Sequence, residues 1–185
     1  MKKLVLVLVL AVIISVSAFA DHPDGWGVGI MGTFGGGWSG GGIGYGAALS
    51  LKAPQLPIFW GVNLHIGSDY FGFGIIGDNY IIHSPLVQDV GLHWYLGIGG
   101  WLNFYNYSYS APTDYSYTSF AFGARLPIGL SFQPISLLEV FLDIAPSLGI
   151  AIDSEGKYGN TVAHEGGLHF PAGGWPFAIG IRLWF

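Results

Sequence analysis

The chain has 185 residues, of which 9% are charged and 16% aromatic, with 11 Asp+Glu against 6 Lys+Arg, 31 Gly and 0 Cys. Soluble domains carry about 25% charged residues, so this surface does not suit water. The acidic balance excludes a nucleic-acid partner, which needs basic patches, and the lack of cysteine excludes disulfide frameworks and thiol chemistry. A mean hydropathy of +0.52 excludes a disordered chain.

In chain order, the first element is a leader. Met1-Lys2-Lys3 is basic, residues 4–14 are an apolar run, and Ala18 and Ala20 form an A-x-A site. This predicts a signal peptide over 1–20, cleaved after Ala20 on Sec-type export. The run is too short for a spanning helix, which needs about 20 residues. Residues 21–185 then form one domain.

Eight alternating segments follow. They cover 25–34, 43–52, 58–67, 70–82, 90–105, 117–132, 137–152 and 174–185. Each has a two-residue period, with apolar residues on one face. Ile58, Trp60, Val62, Leu64 and Ile66 share a face of the third, and Asn63 and His65 fall on the other. The fourth is the least regular, and a parity shift at Ile75-Ile76-Gly77 predicts a bulge there. His83-Ser84-Pro85 and Gln133-Pro134-Ile135-Ser136 read as turns. The last segment carries Phe177, Ile179, Ile181, Leu183 and Phe185 on one face. Such an edge invites aggregation in water, whereas a closed barrel in lipid gives it both a partner and an apolar surrounding.

The reading is an all-β protein, an eight-stranded antiparallel up-and-down transmembrane β-barrel. Strands of about 10 residues cross a bilayer when tilted. An even strand number puts both termini on the periplasmic side, so the turns at 53–57, 83–89 and 133–136 share that side. The connections near 35–42, 67–70, 106–116 and 153–173 lie outside. Short inner turns and longer outer loops are expected of such barrels.

Phe177, Ile179, Ile181, Leu183 and Phe185 resemble the C-terminal signal by which outer-membrane barrels are taken up by the barrel-assembly machinery. The chain as a whole resembles the small eight-stranded outer-membrane proteins of the OmpX and OmpA-transmembrane-domain type. Gly123-Ala124-Arg125-Leu126-Pro127-Ile128-Gly129-Leu130 and the stretch from Leu138 to Gly149 resemble an uncharacterised spirochaetal branch of these. The resemblance implies an outer-membrane location in a diderm bacterium, outer-membrane lipid as a surrounding, and no catalytic residue.

Parity places Lys52, Asn63, His65, His93, Asn103, Arg125, Glu139, Asp143 and Arg182 inside, with Phe59, Tyr95, Trp101 and Trp184. A charge facing lipid at mid-depth costs about 2–4 kcal/mol, which drives charges inward. Folding the sixth and seventh segments about the turn at Pro134 brings Arg125 near Asp143, and counting from the periplasmic edge puts Arg182 on the eighth segment near Glu139. Lys52, Arg125, Glu139, Asp143 and Arg182 are therefore expected to form a charged interior network. An eight-stranded barrel is just wide enough for side chains to fill, which favours a plug over a pore lining.

Other motifs are weaker. Gly27-Val28-Gly29-Ile30-Met31-Gly32 matches G-x-G-x-x-G, but no helix follows to hold a phosphate. His164-Glu165-Gly166-Gly167-Leu168-His169 misses H-E-x-x-H by one position, leaving a loop metal site from His164, Glu165 and His169 as an option. Asp153, Ser154, Glu155 and His169 are the residue types of a rim hydrolase, but spacing alone makes no triad. No cofactor is implied and no enzyme is expected. Tyr105, Tyr107, Tyr109, Tyr115 and Tyr117 form two alternating arms. They suit either an interfacial girdle or an adaptable contact surface for an extracellular protein partner.

The functional expectation is a surface-exposed structural or interaction protein with a filled lumen, acting through its loops. The alternatives are a narrow channel for small or apolar solutes and a soluble lipocalin-like ligand barrel. The last requires the reverse parity, polar outside and apolar inside.

Overall fold

A two-residue period offers each strand one apolar face and one mixed face, and the chain resolves this by rolling into a closed sheet. The structure is a computed structural model that describes residues 25–37, 44–66, 68–109 and 114–185. The expected leader, with Ala18 and Ala20, lies outside the described residues.

The strands are β1 (Gly27–Gly37), β2 (Gly44–Lys52), β3 (Phe59–Ile66), β4 (Tyr70–Val87), β5 (Leu92–Tyr109) and β6 (Tyr115–Arg125). They continue as β7 (Ile128–Ile135), β8 (Leu138–Ile144), β9 (Ser147–Asp153), β10 (Gly156–Tyr158), β11 (Thr161–His164) and β12 (Gly167–Trp184). β6 and β7 run as one crossing interrupted at Leu126-Pro127, and β8 and β9 as another interrupted at Ala145-Pro146. Counted so, eight antiparallel crossings form a ring, closed where β1 pairs with β12 from Gly27↔Trp184 to Gly37↔Gly174. Trp26 N–H donates to Phe185 O at 3.0 Å, extending the seam past the strand ends. β10 and β11 form a separate small hairpin.

The turns at 53–58, 88–91 and 136–137 lie at the same end as residues 25 and 185, here the termini end. The opposite strand ends, at Gly37, Ile66, Tyr109 and Asp153, lie at the other end, here the loop end. Outside, Ile30, Leu49, Val62, Phe73, Leu130, Leu142, Ile179 and Leu183 are exposed. Inside, Met31, Ala48, Ile76, Phe141 and Ala178 form one buried cluster and Phe59, Tyr80, Tyr95 and Trp184 another. Every charged residue of the described barrel strands points inward: Lys52, Asp78, Arg125, Glu139, Asp143, Asp153 and Arg182 are buried or half-buried. An apolar exterior around a polar interior is the parity of a membrane barrel and the reverse of a lipocalin's.

Several boundaries differ from the sequence reading. The bulge in the fourth crossing is not at Ile75-Ile76-Gly77, which pair regularly with Leu102, Trp101 and Gly100. Of the adjacent isoleucines, Ile75 is exposed outside and Ile76 buried inside, so both apolar residues fit one regular strand. The register instead shifts between Tyr80 and Ile82 and again between Pro85 and Val87. His83-Ser84-Pro85 therefore stays in β4, and the chain turns through the short 3-10 segment Gln88–Val90. Pro134 likewise stays in β7, and the turn falls at Ser136-Leu137. The sixth and seventh crossings break because Pro127 and Pro146 have no N–H to give a ladder. Their carbonyls still serve it: Gly97 N–H donates to Pro127 O at 2.8 Å and Leu126 N–H to Pro146 O at 3.0 Å. The last crossing begins at Gly167 rather than 174, so the long loop of 153–173 is mostly strand and hairpin.

Candidate functional site

The barrel interior has three levels: a packed floor, a cavity above it, and a rim of tyrosines and histidines.

The floor lies towards the termini end. Arg182 on β12 stands opposite Glu139 on β8, and Arg182 Nη1 donates to Glu139 Oε2 at 2.6 Å. Trp184 Nε1 donates to the same oxygen at 2.9 Å, and Ser131 Oγ to Oε1 at 2.7 Å. Arg182 Nε and Nη2 both donate to Ser50 Oγ, at 3.1 and 2.9 Å. The guanidinium also lies 4.7 Å from the Phe59 ring centroid and 4.6 Å from that of Phe141. A buried charge is tolerated when it is paired and its remaining donors are satisfied, and this one meets both conditions. Phe59 stacks on Tyr80 at 4.1 Å and Tyr80 on Tyr95 at 4.3 Å, with the Phe59 ring edge against Trp184. Lys52 is buried beside them and donates to Ala53 O at 2.9 Å. His83 and His93 stack at 4.9 Å nearest the turn.

Above the floor, Arg125 Nε lies 3.1 Å from Asp78 Oδ1, and Nη2 lies 3.9 Å from Asp143 Oδ1. Asp143 Oδ2 accepts the Tyr95 hydroxyl at 2.9 Å. Sequence reasoning paired Arg125 with Asp143 and missed Asp78, which is the nearer acid. It also missed Ser50, Ser131 and Tyr80. Continuous parity from Phe71 through Tyr80 is the signal that would have found Asp78 and Tyr80.

A cavity of about 640 Å³ rises from this cluster to the loop end. Asn63, His65, Trp101 and Asn103 line its wall, and Tyr70, Tyr105 and Tyr107 its upper part. Asn63 Oδ1, His65 Nε2 and Asn103 Oδ1 are buried without a hydrogen-bond partner.

The tyrosine arms continue the inward parity of Trp101 and Asn103. They stack on one another rather than forming a lipid-facing girdle: Tyr107 on Tyr117 at 4.7 Å and Tyr109 on Tyr115 at 4.9 Å. Tyr105 packs against His65 at 5.4 Å. All five are half-buried.

At the rim, Asp153 Oδ2 lies 3.1 Å from His164 Nε2 and 3.4 Å from His169 Nε2. Glu165 is exposed and is not part of this group, so the acid beside the two histidines is Asp153. Ser154 Oγ accepts the Thr118 N–H at 2.8 Å. Glu155 accepts from Lys157 at 2.6 Å on the exposed hairpin, which holds that ammonium's pKa above its ordinary value. Gly27 to Gly32 lies within β1, paired on both sides, and the chain continues as strand to Gly37 rather than opening a helix at this motif. Phe177, Ile179, Ile181, Leu183 and Phe185 are all exposed, on or just beyond β12.

The closed ring, the apolar exterior and the filled floor define an eight-stranded transmembrane β-barrel of the outer-membrane type. The same fold is found in a major outer membrane protein from Thermus thermophilus, at TM-score 0.50 and 12% identity over 86% of this chain and 99% of that one. Neisserial surface protein A aligns at TM-score 0.47 and 12% identity over 86% and 96% of the two chains. The chain belongs to the family described as Protein of unknown function (DUF3996), whose model matches residues 25–177. No curated protein matches the chain.

Proposed function

We propose that the protein is a non-enzymatic integral outer-membrane barrel whose working surface is its extracellular end, where loops and rim meet an external protein partner. The observation that carries this reading is the asymmetry of the lumen. Phe59, Tyr80, Tyr95 and Trp184, with the Arg182–Glu139 pair, are all at most 5% exposed and fill the barrel at the termini end. The cavity, the tyrosines and the hairpin are all at the other end. Outer-membrane lipid surrounds the apolar band, and β12 is the strand offered to the assembly machinery after Sec-type export. Ser154 and His164 hydrogen-bond to different partners, Thr118 and Asp153, which does not favour a hydroxyl–imidazole relay.

The rival reading, a narrow channel, draws on the cavity, because only the floor separates it from the termini end. Planar-bilayer recording decides between the two. The native barrel should give no steady openings, and Phe59→Ala/Tyr80→Ala should give them by emptying the floor. Steady openings of the native barrel would favour the channel and rule out a closed floor.

A further inference from the structure

We propose that Asp153, His164 and His169 form a divalent transition-metal site, of the kind that takes Zn²⁺, at the loop end of the barrel.

The ligand types suit a borderline cation: two imidazoles and one carboxylate are a common protein set for Zn²⁺. The spacing suits it as well. Zinc bonds of about 2.0–2.1 Å in tetrahedral geometry separate neighbouring ligand atoms by about 3.3–3.4 Å. Asp153 Oδ2 lies 3.1 Å from His164 Nε2 and 3.4 Å from His169 Nε2. All three ligand atoms fall within 4.8 Å of one another. A fourth position is left for water or an external ligand.

The donors come from three strands, β9, β11 and β12, so their convergence is a product of the fold. Asp153 faces Gly167 across the β9–β12 ladder, and His169 follows two residues along on the same face. The β10–β11 hairpin folds back to bring in His164. Gly156 allows this approach, since a Cβ there would stand 3.0 Å from Tyr115 Cδ2 and 3.3 Å from His164 Cβ. Tyr117 stacks on the His164 ring at 3.7 Å between centroids, 12° from parallel, and fixes its orientation. Asp153 is an independent sign: its Oδ1 is buried with no hydrogen-bond partner, and its side chain is 13% exposed. Among the described residues no Lys or Arg forms a salt bridge with Asp153, so a carboxylate held beside two imidazoles gains from an added cation. The carboxylate Lys157 approaches is that of Glu155.

Bound metal would tie the hairpin to the barrel, so the proposal has two readouts. The protein, without a polyhistidine tag and refolded in detergent, is titrated with Zn²⁺ by calorimetry and with Co²⁺ by visible absorption. One ion per chain is expected, with a tetrahedral Co²⁺ spectrum. His164→Ala, His169→Ala and Asp153→Asn should each weaken binding at least about tenfold, and Glu165→Gln should not. Zn²⁺ should also slow proteolysis within 154–166 in the native chain but not in His164→Ala. Circular dichroism confirms that each variant keeps its strands. No binding at millimolar Zn²⁺ overturns the site. Binding that survives both histidine substitutions, or that is lost with Glu165→Gln, overturns this ligand set.

Discussion

Glu139 accepts from Arg182, Trp184 and Ser131 with both oxygens buried. Removing it leaves a buried guanidinium without its counter-charge. Breaking a buried pair in this way costs about 3–5 kcal/mol, so Glu139→Ala should lower stability to urea by that order in detergent micelles. A loss below about 1 kcal/mol would mean that Arg182 finds water or another acid. Arg125 is held differently, between two acids at 3.1 and 3.9 Å. Double-mutant cycles should therefore give a larger coupling for Arg125→Ala with Asp78→Asn than with Asp143→Asn. The reverse order would place Arg125 on Asp143. Arg182 and Glu139 were legible because both lie a few residues from the termini end of neighbouring crossings, where counting along each strand sets them opposite one another. Asp78 was not, because Ile75-Ile76 looks like a break in parity although one side chain faces out and the other in.

At the scale of the element, alternation exposed all eight crossings but located their ends poorly. Polar and glycine-rich residues extend strands as well as end them, so β5 runs on to Tyr109 and β12 starts at Gly167. Proline is a poor punctuation mark here. Pro85 and Pro134 sit within strands, and Pro127 and Pro146 break crossings without turning them. The close fit of strand to floor sets a further expectation. Gly129 on β7 lies under Tyr95, and a Cβ there would run into the Tyr95 ring and Leu142 O. Gly32 on β1 has nothing within 4 Å of that position. Overpacking a well-filled interior costs about 1–3 kcal/mol, so Gly129→Ala should lower the urea midpoint. Gly32→Ala should stay within about 0.5 kcal/mol of the native chain. Equal effects from the two would show that Tyr95 moves aside freely and that the floor is looser than its packing implies. The rim needed the structure for a related reason. His164, Glu165 and His169 are neighbours in sequence, but Asp153 joins them only through the β9–β12 ladder and the hairpin fold.

For the whole molecule, the ring determines which connections share a side. With eight antiparallel crossings, residues 25 and 185 lie at one end with the turns at 53–58, 88–91 and 136–137, and the β10–β11 hairpin lies at the other. The placement of the plug near the termini end and of the rim near the hairpin then follows from the register, with Lys52↔Gly27 at the termini end of the β1–β2 pairing and Ser119↔Asp153 at the loop end of the β6–β9 pairing. A barrel delivered from the periplasm keeps its short turns there and exposes its longer connections. An epitope inserted between Gly159 and Asn160, where a Cβ at Gly159 meets nothing within 4 Å, should be stained by antibody on intact cells. The same epitope after Gln55 should be stained only after lysis, because Ala53 to Leu56 forms a tight turn closed by a 3.1 Å backbone bond at the termini end. Staining at Gln55 on intact cells, with none at Gly159, would invert the barrel. The plug would then face outwards, and both the tyrosine-lined cavity and the metal-ligand cluster would open to the periplasm instead of to an external partner.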